Sequence, residues 1–301
     1  MNSPPQSAKY VMELEQLRHF LSVAELGNFT KAAVDVGLSQ SALSRSIQRL
    51  EEELGQPLFD RQTRKAVLTD AGRTLEMRAK QIVSSVDELR DEICDDGQTG
   101  NVRVGAIPTI APYFLPKRLQ MFQKSFPKAK VIVQEDTTAE LTRKLYDGAI
   151  DLAVAALPIE GRYLGVEELF EEELKLLVST QHPLEKKNAI KPADLEGQSF
   201  ILMGEAHCLT TNVVSYCHQK TVFPLSVERT TQIAMIQELV SLNHGISLIP
   251  AMASDVDHAT NRVYRSFSSS KPTRTIVLVT NPYRFQSKLI QSFIKTIRDS
   301  I

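Results

Sequence analysis

The stretch Asn28-Phe29-Thr30-Lys31-Ala32-Ala33-Val34-Asp35-Val36-Gly37-Leu38-Ser39-Gln40-Ser41-Ala42-Leu43-Ser44-Arg45 sets the fold of the N-terminal part of the chain. Phe29 onward fits a helix start, with Asn28 or Thr30 as the cap. Val34, Val36 and Leu38 supply its apolar face, and Gly37 stands where the chain must turn sharply. Ser39 then caps a second helix, Gln40 to Leu54, whose Leu43, Ile47, Leu50 and Leu54 face inward. Two short helices joined through a glycine turn form a helix-turn-helix unit. Ser39, Gln40, Ser41, Ser44, Arg45 and Gln48 fall on the outer face. Short polar donors and an arginine at a helix N-terminus suit base edges and phosphates in a major groove. A helical bundle with a solvated polar face has the same periodicity, so spacing alone leaves both readings open.

Working outward, Leu58-Phe59, then Arg61, Arg64 and Lys65, then Val67-Leu68-Thr69 read as a small basic hairpin, or wing. Residues 1–11 are polar with Pro4 and Pro5, and read as a disordered leader without the apolar stretch of a signal peptide. The longest apolar run, Leu152 to Ile159, contains Pro158 and is too short for a bilayer. These features lead us to expect a cytoplasmic protein with no membrane partner. The 301 residues, 42% hydrophobic and 24% charged, exclude a mainly disordered chain. The net charge of −1 gives no global basic signature, so DNA contact would have to be local. The six histidines, at 19, 182, 207, 218, 244 and 258, form no metal-ligand spacing with carboxylates, and no cofactor is expected.

From Arg73 to Cys94 the pattern is one long helix. Leu75, Ala79, Ile82, Val86, Leu89 and Ile93 recur at alternating intervals of four and three, a heptad seam suited to pairing with a second copy of the chain. Asp95 to Gly100 is the best linker candidate. Strand and helix patterns alternate after it: Val102 to Ala106, Leu115 to Phe126, Val131 to Val133, Ala139 to Tyr146 and Leu152 to Ala156. The alternation continues to a strand at Thr275 to Val279 and a terminal helix, and argues for parallel α/β architecture.

Leu14-Glu15-Gln16-Leu17-Arg18-His19-Phe20, Leu58-Phe59-Asp60-Arg61 and Leu68-Thr69-Asp70-Ala71-Gly72 resemble the LysR-type transcriptional regulators, densely from Leu14 to Gly72. The resemblance implies an α plus α/β chain. It has an N-terminal winged helix-turn-helix, a long dimerising linker helix and a two-lobed α/β effector domain like the periplasmic binding proteins. The implied division is 12–72 for DNA binding, 73–99 for linker helix and hinge, and 100–301 for the effector domain. Within it, lobe I is about 100–170 and 275–301, and lobe II about 171–274. The resemblance also implies DNA contacts from Gln40, Ser41, Ser44 and Arg45, with Arg61 and Arg64 on phosphates. Ser41 is a departure, since many members carry proline there. Double-stranded promoter DNA, a homodimer that assembles into a homotetramer, and RNA polymerase are the implied partners, and the implied role is regulation, as an activator, rather than catalysis.

In the effector region, Thr109 and Thr138 each follow a strand and precede a helix, where backbone N–H groups favour polar or anionic ligands. A helix cap is the competing role for each hydroxyl. A sharper feature is Gly204-Glu205-Ala206-His207-Cys208-Leu209. Cys208 stands just before a helix N-terminus with His207 adjacent, an arrangement that lowers a thiol pKa and favours the oxidant-reactive thiolate. Cys217 is nine residues further on. On one continuous helix that is about 13.5 Å along the axis and on the opposite face. A disulfide needs Cα atoms within roughly 4.4–6.8 Å, so any bridge would require this segment to unwind or swing. Three inert cysteines, Cys94 among them, are the alternative.

Ile107-Pro108-Thr109 with Pro112-Tyr113, His207-Cys208-Leu209 with Cys217, and Arg274-Thr275-Ile276 with Leu278-Val279 resemble, more narrowly, the hydrogen-peroxide-sensing branch of the LysR-type regulators. That resemblance implies Cys208 as the peroxidatic thiol, Cys217 as its disulfide partner, and Thr109, Thr138 and His207 with Cys208 around hydrogen peroxide. Thr210 departs from it, standing where that branch usually carries arginine. The competing function is a LysR-type regulator with incidental cysteines, binding a small carboxylate-like metabolite between the lobes. A thiol peroxidase fits poorly with the DNA-binding half.

Overall fold

Residues 12–60, 65–187, 189–223 and 225–299 are described by the structure, a computed structural model. The leader (1–11) and the wing residues Arg61 and Arg64 lie outside them. The chain divides into two compact units, one ending at Ile93 and the other beginning at Cys94.

In the first unit, α1 (Leu14–Leu26) is opened by a capping box between Glu13 and Gln16, and Gly27 closes it in the left-handed region. Asn28 caps α2 (Phe29–Asp35), its Oδ1 accepting from the N–H of Thr30 and Lys31 at 2.9 and 3.0 Å. Ser39 caps α3 (Gln40–Leu54) through the Ala42 N–H at 3.2 Å. Leu17, Phe20, Val23, Leu43, Ile47 and Leu50 are buried together with Leu58 and Phe59. The short strands β1 (Phe59–Asp60) and β2 (Val67–Leu68) pair antiparallel and frame the wing. Then α4 runs from Asp70 to Ile93. Ala79 is buried in the unit core and Leu75 and Val83 pack against it, whereas Ile82, Val86, Leu89 and Ile93 are exposed. The N-terminal third of the heptad seam is thus consumed by the unit itself, and the rest is left open.

In the second unit the chain runs through β3 (Gly100–Ala106), α5 (Ala111–Ser125), β4 (Ala129–Glu135), α6 (Thr138–Asp147) and β5 (Leu152–Ala156). A long strand, β6 (Gly165–Ser179), leads to β7 (Ser199–Met203), α7 (Cys208–Gln219), β8 (Ser226–Thr230) and α8 (Ile233–Ser241). The chain ends with β9 (Ser247–Pro250), α9 (Ala251–Asp255), β10 (Arg262–Arg265), β11 (Thr273–Thr280) and α10 (Lys288–Arg298). Two hydrophobic cores form. One gathers Val102 to Ala156 and Ile276 to Ile297, the other Leu174 to Phe267. We refer to them as lobe I and lobe II.

The alternation of strand and helix pointed to a parallel sheet. Among the described residues, the parallel ladders are β3–β4, β3–β5 and β7–β8, with isolated parallel bridges at Ile190–Phe267 and Phe200–Ile246. Strands β6, β9, β10 and β11 run antiparallel to their neighbours. The reason lies in β6, whose first half pairs with β11 in lobe I and whose second half pairs with β9 and β10 in lobe II. That first half carries Glu167, Glu168, Glu171, Glu172 and Glu173, and alternates between exposed and covered positions, so its strand character is hidden by charge. Among the described residues, no helix is long and apolar enough to cross a membrane.

Candidate functional site

Cys208 is the first residue of α7 and follows the strand β7 by a short turn. Although its chain neighbours belong to lobe II, its side chain packs against the core of lobe I. Cys217, on the same helix, is 2% exposed within the core of lobe II. One continuous helix therefore keeps the two thiols apart, in two different cores.

A cleft of about 300 Å³ opens at Cys208, lined by Thr138, Thr142, Pro158, Glu160, Glu205 and His207 among others. Thr138 is on the first turn of α6, but the cap there is Thr137, whose hydroxyl accepts from the Glu140 N–H at 3.4 Å. The Thr138 Oγ1 is thereby released. It is buried, makes no well-formed hydrogen bond, and faces the Cys208 sulfur, whose thiolate it would stabilise.

Behind the sulfur lies a cluster that residue spacing did not single out. Arg274, 2% exposed, stands directly across from Glu172 in the β11–β6 register. Its Nε donates to Glu172 Oε2 at 2.8 Å, its Nη1 to Thr109 Oγ1 at 2.7 Å, and its Nη2 to the Thr109 carbonyl at 3.0 Å. Glu172 Oε1 also accepts from the Met252 N–H at 2.8 Å, at the start of α9. Thr109 is thus committed to Arg274; it neither caps α5 nor lines the cleft. It joins the site only through the guanidinium, whose charge acts on Cys208. A signal for Arg274 was present in the sequence: it shares a strand face with Ile276 and Leu278, a core phase where an arginine must have buried partners.

Burial is the largest influence on the Cys208 thiol and pushes its pKa up. The Arg274 charge, the Thr138 hydroxyl and the backbone at Ala156 and Cys208 pull the other way without overcoming it. The helix-terminus argument predicted a lowered value; desolvation between two lobes outweighs it. His207 is held below its usual range by burial, so it is neutral near pH 7. The Cys217 thiol is pushed up to about 11 by burial alone. Thr210 turns its hydroxyl inward to the Met203 carbonyl at 2.8 Å, so it caps the end of β7 and does not address the sulfur. Asn212, one turn along α7, donates to the Leu157 carbonyl of lobe I at 3.2 Å.

On the first unit, Gln40, Ser41 and Arg45 are exposed at the start of α3 and Ser44 is half-buried. Gln40 Nε2 reaches Ser44 Oγ at 3.4 Å, and the Ser39 and Ser41 hydroxyls lie 3.2 Å apart. Glu51, near the C-terminal end of α3, is buried rather than solvated. It is 9% exposed, and its Oε1 accepts from the N–H groups of Leu58 and Phe59 at 2.7 and 3.3 Å, fixing the entry to the wing.

Two family models cover the chain: the bacterial regulatory helix-turn-helix of the LysR family over residues 14–73, and the LysR substrate-binding domain over 95–301. The chain belongs to the LysR family. That family consists of transcription regulators rather than enzymes. A hydrogen peroxide-inducible genes activator of Pectobacterium carotovorum is 31% identical over 274 residues, covering 90% of this chain and 91% of the relative. A full-length variant of OxyR from Pseudomonas aeruginosa has a similar structure, with a TM-score of 0.78, 26% identity, and coverage of 96% and 94% of the two chains. A cysteine variant of Corynebacterium glutamicum OxyR with hydrogen peroxide bound is also similar, with a TM-score of 0.65, 28% identity, and coverage of 97% and 94%.

Proposed function

We propose that this LysR-family regulator is cytoplasmic and senses hydrogen peroxide at Cys208, converting oxidation into altered promoter binding. The observation that carries the reading is the Cys208 sulfur set against the buried, uncommitted Thr138 hydroxyl, with the Arg274 charge behind it. Similarity to peroxide-inducible activators supports it.

The chemistry is a two-step oxidation. The Cys208 thiolate attacks one peroxide oxygen; an S–O bond forms, the O–O bond breaks, and the departing hydroxide takes a proton to leave as water. Thr138 and the Arg274 charge stabilise the thiolate and the developing oxyanion, and His207 lines the approach. Cys217 then loses its proton and attacks the sulfenic sulfur. The S–S bond forms as the S–O bond breaks, and a second water leaves. Two thiols and one hydrogen peroxide give one disulfide and two waters. The second step requires the first turns of α7 to leave the helix, because nine helical residues span about 13.5 Å. This withdraws the Asn212 contact and the Cys208 side chain from lobe I. The cost of that unwinding is how oxidation becomes a conformational signal.

In the same reading, residues 12–72 bind promoter DNA through Gln40, Ser41, Ser44 and Arg45, with Arg61 and Arg64 on phosphates. The open part of the α4 seam pairs two chains, dimers assemble into a tetramer, and the outcome is read by RNA polymerase. The metabolite reading is disfavoured by the cleft at Cys208. Among the described residues its lining holds two carboxylates, Glu160 and Glu205, and no lysine or arginine.

Peptide mapping by mass spectrometry after brief exposure to near-stoichiometric hydrogen peroxide tests the reading. A Cys208–Cys217 disulfide with Cys94 left as a thiol is expected. Slow, indiscriminate oxidation of all three cysteines would overturn it.

A further inference from the structure

The mouth of the Cys208 cleft bears charge that the oxidation itself does not use. Glu160 stands on the loop after β5 and Glu205 on the turn between β7 and α7, and both line the opening. Both side chains are carboxylates exposed to solvent at the opening. Glu205 is paired with Arg229 of β8, which lies outside the lining; Glu160 has no such cation in the lining. The other titratable side chains of the lining are Cys208 itself and His207, held neutral by burial. The positive charge of the site, Arg274, lies behind the sulfur, fully buried against Glu172 and Thr109. A solute entering from solvent therefore meets negative potential first, and reaches the guanidinium's influence only at the sulfur.

We infer that Glu160 and Glu205 form an electrostatic selector at the mouth of the cleft, admitting neutral oxidants to Cys208 and disfavouring anionic ones. This rests on the peroxide-sensing reading above and adds a specificity element to it. Hydrogen peroxide is neutral near pH 7 and crosses the mouth without penalty. Peroxides or oxidants carrying a carboxylate, sulfonate or oxyanion charge do not. A unit charge about 8 Å away through water-like dielectric contributes a factor of about two to three in local concentration. Glu205 is partly neutralised by Arg229, so the combined effect on a monoanion is about threefold to fivefold at low ionic strength, fading as salt shortens the screening length.

The test uses iodoacetamide and iodoacetate, reagents of nearly equal size that differ by one negative charge. Rates are read on the Cys208 peptide by mass spectrometry in the full-length reduced protein. The thiolate fraction cancels in the iodoacetate-to-iodoacetamide ratio, and dividing by the same ratio for a free small-molecule thiol removes the difference in intrinsic reactivity of the two reagents. The expected normalised ratio is about 0.2–0.3 at low salt and rises toward one at high salt. Glu160→Gln combined with Glu205→Gln brings it close to one, and Glu160→Lys raises it further, while the iodoacetamide rate serves as reference in each variant. A normalised ratio near one in the native chain, or a low ratio that persists in the double variant, would overturn the selector. Failure of hydrogen peroxide to form the Cys208–Cys217 disulfide in the native chain would instead overturn the sensing reading, and the alkylation ratio is measured independently of that outcome.

Discussion

Arg274 and Glu172 are a buried ion pair whose members depend on each other. The side chains are 0% and 3% exposed, and each also binds backbone, at Thr109 and Met252. Such pairs contribute little net stability, but removing one partner strands a buried charge at a cost of about 3–5 kcal/mol. Arg274→Met should therefore lower stability by about that amount in urea unfolding. Arg274→Met with Glu172→Gln should recover most of it, because no lone carboxylate remains. The two variants should agree in a different readout: both lose the cation that draws the Cys208 pKa down, so both react more slowly with peroxide at pH 7. Recovery of stability without recovery of rate would separate the electrostatic role of Arg274 from its role in packing. A double variant no more stable than Arg274→Met would refute the pairing argument.

At the scale of elements, the junction of α3, the wing and α4 is built on a close approach. A Cβ added to Gly72 would sit 2.2 Å from the Leu58 carbonyl oxygen, which already accepts the Thr69 N–H at 3.0 Å. The worst clash is with backbone, so no side-chain movement relieves it, and Leu68 Cδ2 stands 3.0 Å away as a second close neighbour. Gly72→Ala should push β1 away from α4 at a cost of about 1–3 kcal/mol. Amide hydrogen exchange should accelerate at Phe59 and Leu68, the paired ends of β1 and β2. Weaker DNA binding should accompany it, since Glu51 and Gly72 together hold the wing entry. Unchanged exchange at those two amides would show that the junction tolerates the methyl group. Helix α7 is the second decisive element, because it bridges the cores: its first residue packs on lobe I while Val213, Tyr216 and Cys217 are buried in lobe II.

Over the whole second unit, lobe II carries its own acid-sensitive fastening. Burial would raise the Asp257 pKa, but hydrogen bonds from Arg262, from the Tyr264 hydroxyl and from the Ala259 N–H outweigh it and hold the carboxyl at about 2. The Arg262 Nε contact is 2.6 Å and the Tyr264 contact 2.5 Å. A carboxyl depressed below its unfolded value stabilises the fold above the ordinary carboxylate pKa, and that contribution is lost as pH falls through about 4 toward 2. Asp257→Asn should therefore be less stable than the native chain at pH 7 and should approach it in stability near pH 2. Circular dichroism of acid and thermal unfolding checks this; parallel stability curves for the two proteins would contradict it.

The sequence by itself determined the helix-turn-helix, its caps at Asn28 and Ser39, the long α4, and the strands and helices from Gly100 to Ala156. Local periodicity and capping chemistry specify these, and they need no distant partner to be recognised. It also marked His207 and Cys208 at the start of one helix, Cys217 nine residues along it, and Thr138 at the start of another. Only the tertiary structure decided the rest. The first half of β6 is a strand because β11 lies beside it, although its glutamates suppress the apolar pattern. Thr138 rather than Thr109 faces the sulfur, because Thr137 takes the cap and Arg274 claims Thr109. The Cys208 pKa moves up rather than down because two lobes close over the thiol, and desolvation depends on everything packed around a group rather than on its neighbours in the chain.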